Sequence, residues 1–219
     1  LERTAVNRLF LAHMHWDHTV DVANLILSPW TQGREDALQI YGPLGTAKLV
    51  TNLNTAFADD IALRLNGLEP ATYEGWRALS SEFDLSYTYK DENVTIEAFP
   101  VCHGQIKQAV GYKVTTPDKV IVISGDTAYC PIIAEKAKGA DILFHEGFPT
   151  KSHAKLPENW ARYHTSGVDI ARTANEAKPK LVVLYHQLTW AGDPLSMIVD
   201  EIKETYDGAV VNAKDLDAF

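Results

Sequence analysis

Two rhythms of apolar and polar positions run along this chain of 219 residues. Short runs rich in Val, Ile, Leu and Phe predict strands, and apolar residues three and four apart predict helices. Residues 6–12 (VNRLFLA) read as a strand that runs straight into a cluster of histidines. Residues 18–27 read as a short helix with Val20, Ala23, Asn24 and Leu27 facing inward, and SPWTQGRED as the loop after it. ALQIYGP is a strand closed by a Gly-Pro turn. From Thr46 to about Leu65, the residues Leu49, Leu53, Ala56, Phe57, Ile61 and Leu65 recur at helical spacing and predict one long helix. Residues 67–92 are mixed and acidic, a loop-rich excursion with a strand near 85–89.

The second half is more regular. NVTIEAFPV alternates as a strand up to Cys102-His103-Gly104, and AVGYKVTT and KVIVISGD form a hairpin about a Pro-Asp turn. A helix over 131–138 ends at Gly139, which suits the left-handed position after a helix. The strand ADILFHE, a polar loop over 149–163, a helix over 166–178 and the strand KLVVLYH follow. Asp193 predicts an N-cap, with Pro194 opening a helix over 194–206, and GAVVNA is a last strand. Hairpins in the middle and strand–helix alternation afterwards predict an α/β fold with helices covering sheets. With no repeat and no linker-like stretch, residues 1–219 read as a single domain.

Five apolar strands stop at a residue of metal-ligand type: His13, His103, Asp126, His145 and His186. Strands of a packed sheet end along one edge, so residues at their tips can converge although scattered in sequence. A single histidine is usually a hydrogen-bonded core or surface residue. HMHWDH is different in kind, because His13, His15, Asp17 and His18 crowd into six positions. Such bunching costs desolvation and repulsion unless a cation compensates. His13 and His15, two apart at a strand end, point the same way and can hold one ion; Asp17 and His18, past the bend, can address a second. His145 reads as packing or as support behind a ligand, Glu146 as a candidate partner for a ligand histidine, and His153 as exposed. Trp16, Trp30 and Trp190 flank these loops and either wall an aromatic pocket or pack in a core. Arg162 and Tyr163, beside His164, are candidates for contact with an anionic substrate.

Composition narrows the field. With 46% hydrophobic residues the chain can bury a sizeable core. A net charge of -9 argues against broad affinity for a nucleic-acid backbone, which needs Lys and Arg to displace counterions. No apolar run approaches the roughly 18 residues of a membrane span, and no signal peptide is visible. A cytoplasmic location without a membrane partner is therefore expected. Cys102 and Cys130 lack CxxC spacing and are expected as reduced, buried thiols without a role.

The stretches FLAHMHWDH, SPWTQGR, LQIYGPLGT, AFPVCHG, VISGDTAYC, ADILFHEG, YHTSGVDIARTANEAKPKLVVLYHQ and YDGAVVNAKDLDAF together resemble the metallo-β-lactamase superfamily. Within it they look like the branch of ribonuclease Z and the arylsulfatases of the same fold. That branch is marked by an HTS-type histidine 22 residues before the last metal ligand, and His164 and His186 have that spacing. The resemblance implies an αββα sandwich with a two-metal site at one edge of its sheets. Carried over by motif, it implies one ion held by His13, His15 and His103 and another by Asp17, His18 and His186, with Asp126 bridging. It implies two zinc ions, with manganese or iron as alternatives, that generate a bridging hydroxide and clamp the oxygens of an ester. Asp17 and Asp126 then serve catalysis as ligands. His164 acts as general acid or hydrogen-bond donor at the leaving group, or else orients a ligand.

Two departures from the family shape the substrate expectation. Its members carry several strands before H-x-H-x-D-H, whereas twelve residues precede it here, so N-terminal strands are expected to be missing. An uncovered sheet edge is a pairing hazard and predicts a homodimer. The ribonucleases of the branch also carry a long arm that grips tRNA between the third histidine and the bridging aspartate. Here 22 residues separate His103 from Asp126, and a tight hairpin accounts for them. With the acidic charge, this turns the reading from tRNA toward a hydrolase of a small anionic ester, a phosphodiester or aryl sulfate. A tRNA 3′-processing endonuclease is the alternative, followed by a lactonase or β-lactamase, and by a metal-binding fragment without activity. The H-x-E-x-D-H pattern of flavodiiron oxidoreductases is not matched, since His15 stands in place of its glutamate.

Overall fold

The computed structural model describes residues 2–69, 71–152, 156–189 and 192–219. The chain divides into two compact units, Leu1–Asp84 and Leu85–Phe219.

In the first unit β1 (Arg8–Phe10), β2 (Leu38–Pro43) and β3 (Ala78–Phe83) pair in parallel in that order. Parallel neighbours need a long crossover. The helices α1 (Trp16–Thr19) and α2 (Val22–Thr31) supply it between β1 and β2, and α3 (Thr46–Ala56) and α4 (Ala58–Asn66) between β2 and β3. Leu11, Val22, Ile26, Leu38, Ile40 and Val50 form the core between helices and strands.

Several sequence expectations for this unit are corrected. Val20 is exposed, while Val22, Ile26, Pro29 and Trp30 are buried, so the helix is rotated and runs on through Ser28-Pro29-Trp30. Proline offers no N–H to the carbonyl four residues back. That carbonyl, of Leu25, instead accepts from Arg34 Nη1 at 3.1 Å. The same buried guanidinium bonds the carbonyls of Ile26 at 2.6 Å and Gly75 at 2.9 Å, which is how a charge survives there. The expected long helix is two helices meeting at Phe57. Strand β3 occupies part of the expected loop; its middle is polar, and only Ala78 and Phe83 are buried. Gly42 and Pro43 stay within β2, paired with Glu82 and Phe83.

In the second unit the strands order as β10-β9-β8-β7-β6-β5-β4. β4 (Tyr87–Lys90), β5 (Thr95–Pro100), β6 (Val110–Thr115) and β7 (Val120–Ile123) are antiparallel neighbours. β7, β8 (Ile142–Gly147), β9 (Leu181–Gln187) and β10 (Val210–Asn212) are parallel. They are connected through α5 (Pro131–Lys136), α6 (Gly167–Ala177) and α7 (Ser196–Lys203), as parallel pairing requires. Val122, Ile133, Ala137 and Leu143 pack α5 on the sheet. Ile170, Ala174, Val182, Leu184, Ile198 and Ile202 do the same for α6 and α7.

Two expectations fail here. Helix α7 starts at Ser196, and Asp193 accepts from the Ser152 hydroxyl instead of capping it. Cys102 and Cys130 are joined in a disulfide, with Cα atoms 5.6 Å apart, and are not free thiols. Backbone pairing brings them together: Ala128 N–H donates to the Cys102 carbonyl at 2.7 Å, and Cys102 N–H to Thr127 Oγ1 at 3.1 Å. Among the described residues no helix is long and apolar enough to cross a membrane.

Candidate metal centre

In the first unit the donors follow directly from the strand. Leu11 is buried, and its N–H donates to the Tyr41 carbonyl at 2.8 Å, which fixes where the chain leaves β1. His13 comes two residues later and is fully buried. His13 Nε2 lies 2.9 Å from His15 Nδ1, and the rings of His13 and His18 have centroids 4.3 Å apart. His18 Nε2 lies 3.3 Å from the Asp17 carboxylate. The four donors expected from H-x-H-x-D-H thus stand together. Imidazole nitrogens that face each other need a shared proton or a cation, and a set rich in nitrogen fits zinc, manganese or iron type ions.

The tryptophans separate by environment. Trp16, among the donors, is 77% exposed. Trp30 belongs to the core, its Nε1 donating to the Thr72 carbonyl at 2.9 Å. Trp190 and His153 lie outside the described residues.

In the second unit the donors sit where strands end. His103 and Asp126 adjoin Gly104 and Gly125, whose φ values of 56° and 62° let the chain turn sharply. His103 is buried, and its Nδ1 lies 2.8 Å from the Tyr163 carbonyl. That places its proton on Nδ1 and leaves Nε2 as the ligand atom. His186 Nε2 lies 3.5 Å from Asp126 Oδ2. The backbone of His186 has φ of 43°, a left-handed conformation that costs a non-glycine residue energy and that clusters at functional sites. Asp126, His164 and His186 each offer a ligand atom, and these lie within 4.8 Å of one another. The rings of His164 and His186 stack with centroids 5.9 Å apart.

His145 stays out of this group, as expected. It is buried, its Nδ1 pairs with the Glu146 carbonyl at 2.7 Å, and burial pushes its pKa down to about 4. Glu146 is fully buried and has a role that the sequence pointed to only loosely. Its Oε1 accepts the N–H groups of Thr127 and Thr165, each at 3.1 Å, and lies 3.4 Å from His164 Nδ1. His164 is thus a histidine that the structure places beside Glu146. Tyr185, next to His186, was not singled out. Burial raises its phenol above the usual range.

Residues 2–187 match the family model of the β-lactamase superfamily domain. A protein named ribonuclease Z from Mycobacterium sp. (strain KMS) is 30% identical over 189 residues, a match covering 84% of this chain but 66% of that relative's length. Another named ribonuclease Z, from Anoxybacillus flavithermus, is 26% identical over 263 residues and covers 98% of this chain and 79% of its own. The metallo-β-lactamase fold protein YhfI from Bacillus subtilis superposes with a TM-score of 0.70 at 19% identity, covering 97% of this chain and 77% of that one. The short form of human tRNase Z gives 0.67 at 19% identity, covering 99% and 80%. The donor clusters of each unit thus sit in a chain that belongs to the β-lactamase superfamily and has the metallo-β-lactamase fold.

Proposed function

We propose that this chain is a metal-dependent hydrolase of phosphodiesters. In this reading His13, His15, Asp17, His18, His103, Asp126 and His186 hold two divalent ions, and His164 assists the leaving group. One observation carries it: Asp126, His164 and His186 converge within 4.8 Å, and His164 is tied from behind to the buried Glu146. In this reading Asp126 and His186 are ligands, and His164 is the proton donor placed beside them. The H-x-H-x-D-H cluster adds the donors that a second ion requires.

When bound, two such ions supply the Lewis acidity that activates a water and offsets charge on the ester oxygens. The rest is the work of side chains. The Tyr163 carbonyl holds His103 in one tautomer and orientation. Glu146, fixed by two backbone N–H groups, faces His164 Nδ1 and would offset the charge of the imidazolium, whose Nε2–H is the proton given to the departing oxygen. Burial of Glu146 excludes water from that pair.

Relatives named ribonuclease Z favour a phosphodiester over the aryl sulfate, and they also support RNA 3′-end processing as the second reading. Against RNA stand the net charge of -9 and the short connection from His103 to Asp126. Lactone or β-lactam opening ranks below both, because the relatives named ribonuclease Z support a phosphodiester.

Elemental analysis beside hydrolysis tests the proposal, using bis-p-nitrophenyl phosphate, p-nitrophenyl sulfate and a 3′-extended precursor tRNA on wild type and Asp126→Ala. Bound metal with Asp126-dependent diester cleavage is expected. A chain without metal, or one that cleaves only the sulfate, refutes the phosphodiesterase. Cleavage confined to the tRNA selects the second reading.

A further inference from the structure

Beside His103 the second unit carries an open cleft of about 650 Å³ whose walls include Gly104, Gln105, Asn159, Arg162 and Tyr163. Among the described residues that line it, Arg162 alone carries a charge, and no carboxylate does. In a chain of net charge -9, a cleft with a lone cation and neutral amide and phenol groups is electrostatically distinct from its surroundings. Its size falls within the range of roughly 300–1,000 Å³ that suits small-molecule sites, larger than one phosphate group requires.

The register of one short segment ties this cleft to the candidate centre. Arg162, Tyr163 and His164 are consecutive. The first supplies the cation, the second offers its carbonyl to His103 Nδ1 at 2.8 Å, and the third pairs with Glu146. A single 3-10 turn, Trp160–Arg162, holds the segment, with Arg162 N–H donating to the Asn159 carbonyl at 3.0 Å. The Tyr163 ring lies flush against Gly104: a Cβ there would meet its Cε1 at 2.3 Å. The backbone that carries the cation therefore cannot shift without moving groups that hold His103 and His164.

We propose that this cleft is an anion subsite in which Arg162 receives a second phosphate of the substrate. The scissile linkage would lie at the metal donors, and a neighbouring phosphate at Arg162. The reading rests on the phosphodiesterase proposal and sharpens it: the preferred substrate carries a phosphate beyond the one attacked. Guanidinium suits this task because its fork pairs bidentately with phosphate oxygens. The second phosphate can come from a small nucleotide or from the next unit of a nucleic-acid strand.

The test begins with metal-free protein, so that binding is read without turnover. Calorimetric titration uses adenosine 5′-monophosphate and a 5′-phosphorylated dinucleotide on wild type, Arg162→Gln, Arg162→Lys and, as a control, Arg172→Gln at an exposed arginine paired with Glu176. Arg162→Gln is expected to weaken binding about tenfold or more. Arg162→Lys should recover part of the loss, and Arg172→Gln should match wild type. Equal affinity of wild type and Arg162→Gln overturns the subsite. A comparable loss in Arg172→Gln also overturns it, because the effect would then be general charge.

With metal restored, Arg162→Gln should lower kcat/KM on the 5′-phosphorylated dinucleotide about tenfold more than on bis-p-nitrophenyl phosphate. Equal losses on both overturn the subsite while leaving the hydrolase intact. Arg162-dependent binding without hydrolysis of any diester supports the subsite and sinks the phosphodiesterase. Comparing the monophosphate with the dinucleotide separates the sources: tighter binding of the dinucleotide assigns the phosphate to a strand, and equal binding to a small nucleotide.

Discussion

Glu146 Oε1 lies 3.4 Å from His164 Nδ1, and the same oxygen accepts two backbone N–H groups from Thr127 and Thr165. A fully buried carboxylate held this way has little freedom, so it restrains where the imidazole sits. Glu146→Gln keeps the shape and loses the charge. It is expected to lower kcat about 10–100-fold while leaving metal content unchanged. His164→Ala should cost about 10²–10⁴-fold, and the double variant no more than His164→Ala alone. Multiplied losses in the double variant would show that the two residues act separately. Loss of metal in His164→Ala would make His164 a ligand.

Reduction of the Cys102–Cys130 bridge should loosen the second unit. The bridge spans 28 positions, and a closed loop of that length restricts the unfolded chain enough to contribute roughly 3–4 kcal/mol. Denaturant unfolding of wild type, with and without a dithiol, and of Cys102→Ser/Cys130→Ser should show that difference. Thiol titration of the denatured, unreduced protein should find none. Two titratable thiols would mean that the bridge does not form in solution.

Gly104 and Gly139 make a controlled pair. Both have positive φ, 56° and 66°. An added Cβ at Gly139 meets nothing within 4 Å, whereas at Gly104 it would collide with the Tyr163 ring. Gly139→Ala should therefore cost only the backbone penalty of about 1–2 kcal/mol. Gly104→Ala should cost more, and it should also weaken metal binding, because the displaced Tyr163 no longer anchors His103. Equal stability of the two variants, with unchanged metal affinity, would show that the contact is slack.

The buried His145 predicts a pH dependence of folding. Its pKa of about 4 in the fold lies below the ordinary 6.5, so the unfolded chain binds the extra proton first. Its contribution to stability is complete above pH 6.5, declines as pH falls from there, and is gone below about 4. The shift corresponds to about 3 kcal/mol. Metal-free protein unfolded by urea at pH 7.5 and 4.5 should show this drop, and His145→Asn, which cannot titrate, should flatten it. An unchanged slope in the variant would transfer the effect to other groups.

What the sequence alone determined is local. Apolar runs marked β5 to β9 because strands buried in a sheet must be apolar at most positions, and H-x-H-x-D-H was legible because its four donors are neighbours in the chain. His103, Asp126 and His186 were legible as strand tips, and their joint assignment came from family resemblance. Where a signal depended on a partner elsewhere, the chain was silent. Helix α2 continues through Pro29 because Arg34 takes up the carbonyl that proline leaves, and the Ser-Pro pair read alone looks like a stop. Polar ALSSEF becomes β3 because β2 offers it a parallel ladder. Cys102 and Cys130 meet because the segments that follow β5 and β7 are hydrogen-bonded to each other. Glu146 finds His164 across 18 positions because β8 and the turn before α6 converge. Periodicity and motif are written in neighbouring residues, but pairing across the fold requires the chain to have closed on itself, and only the tertiary structure decides it.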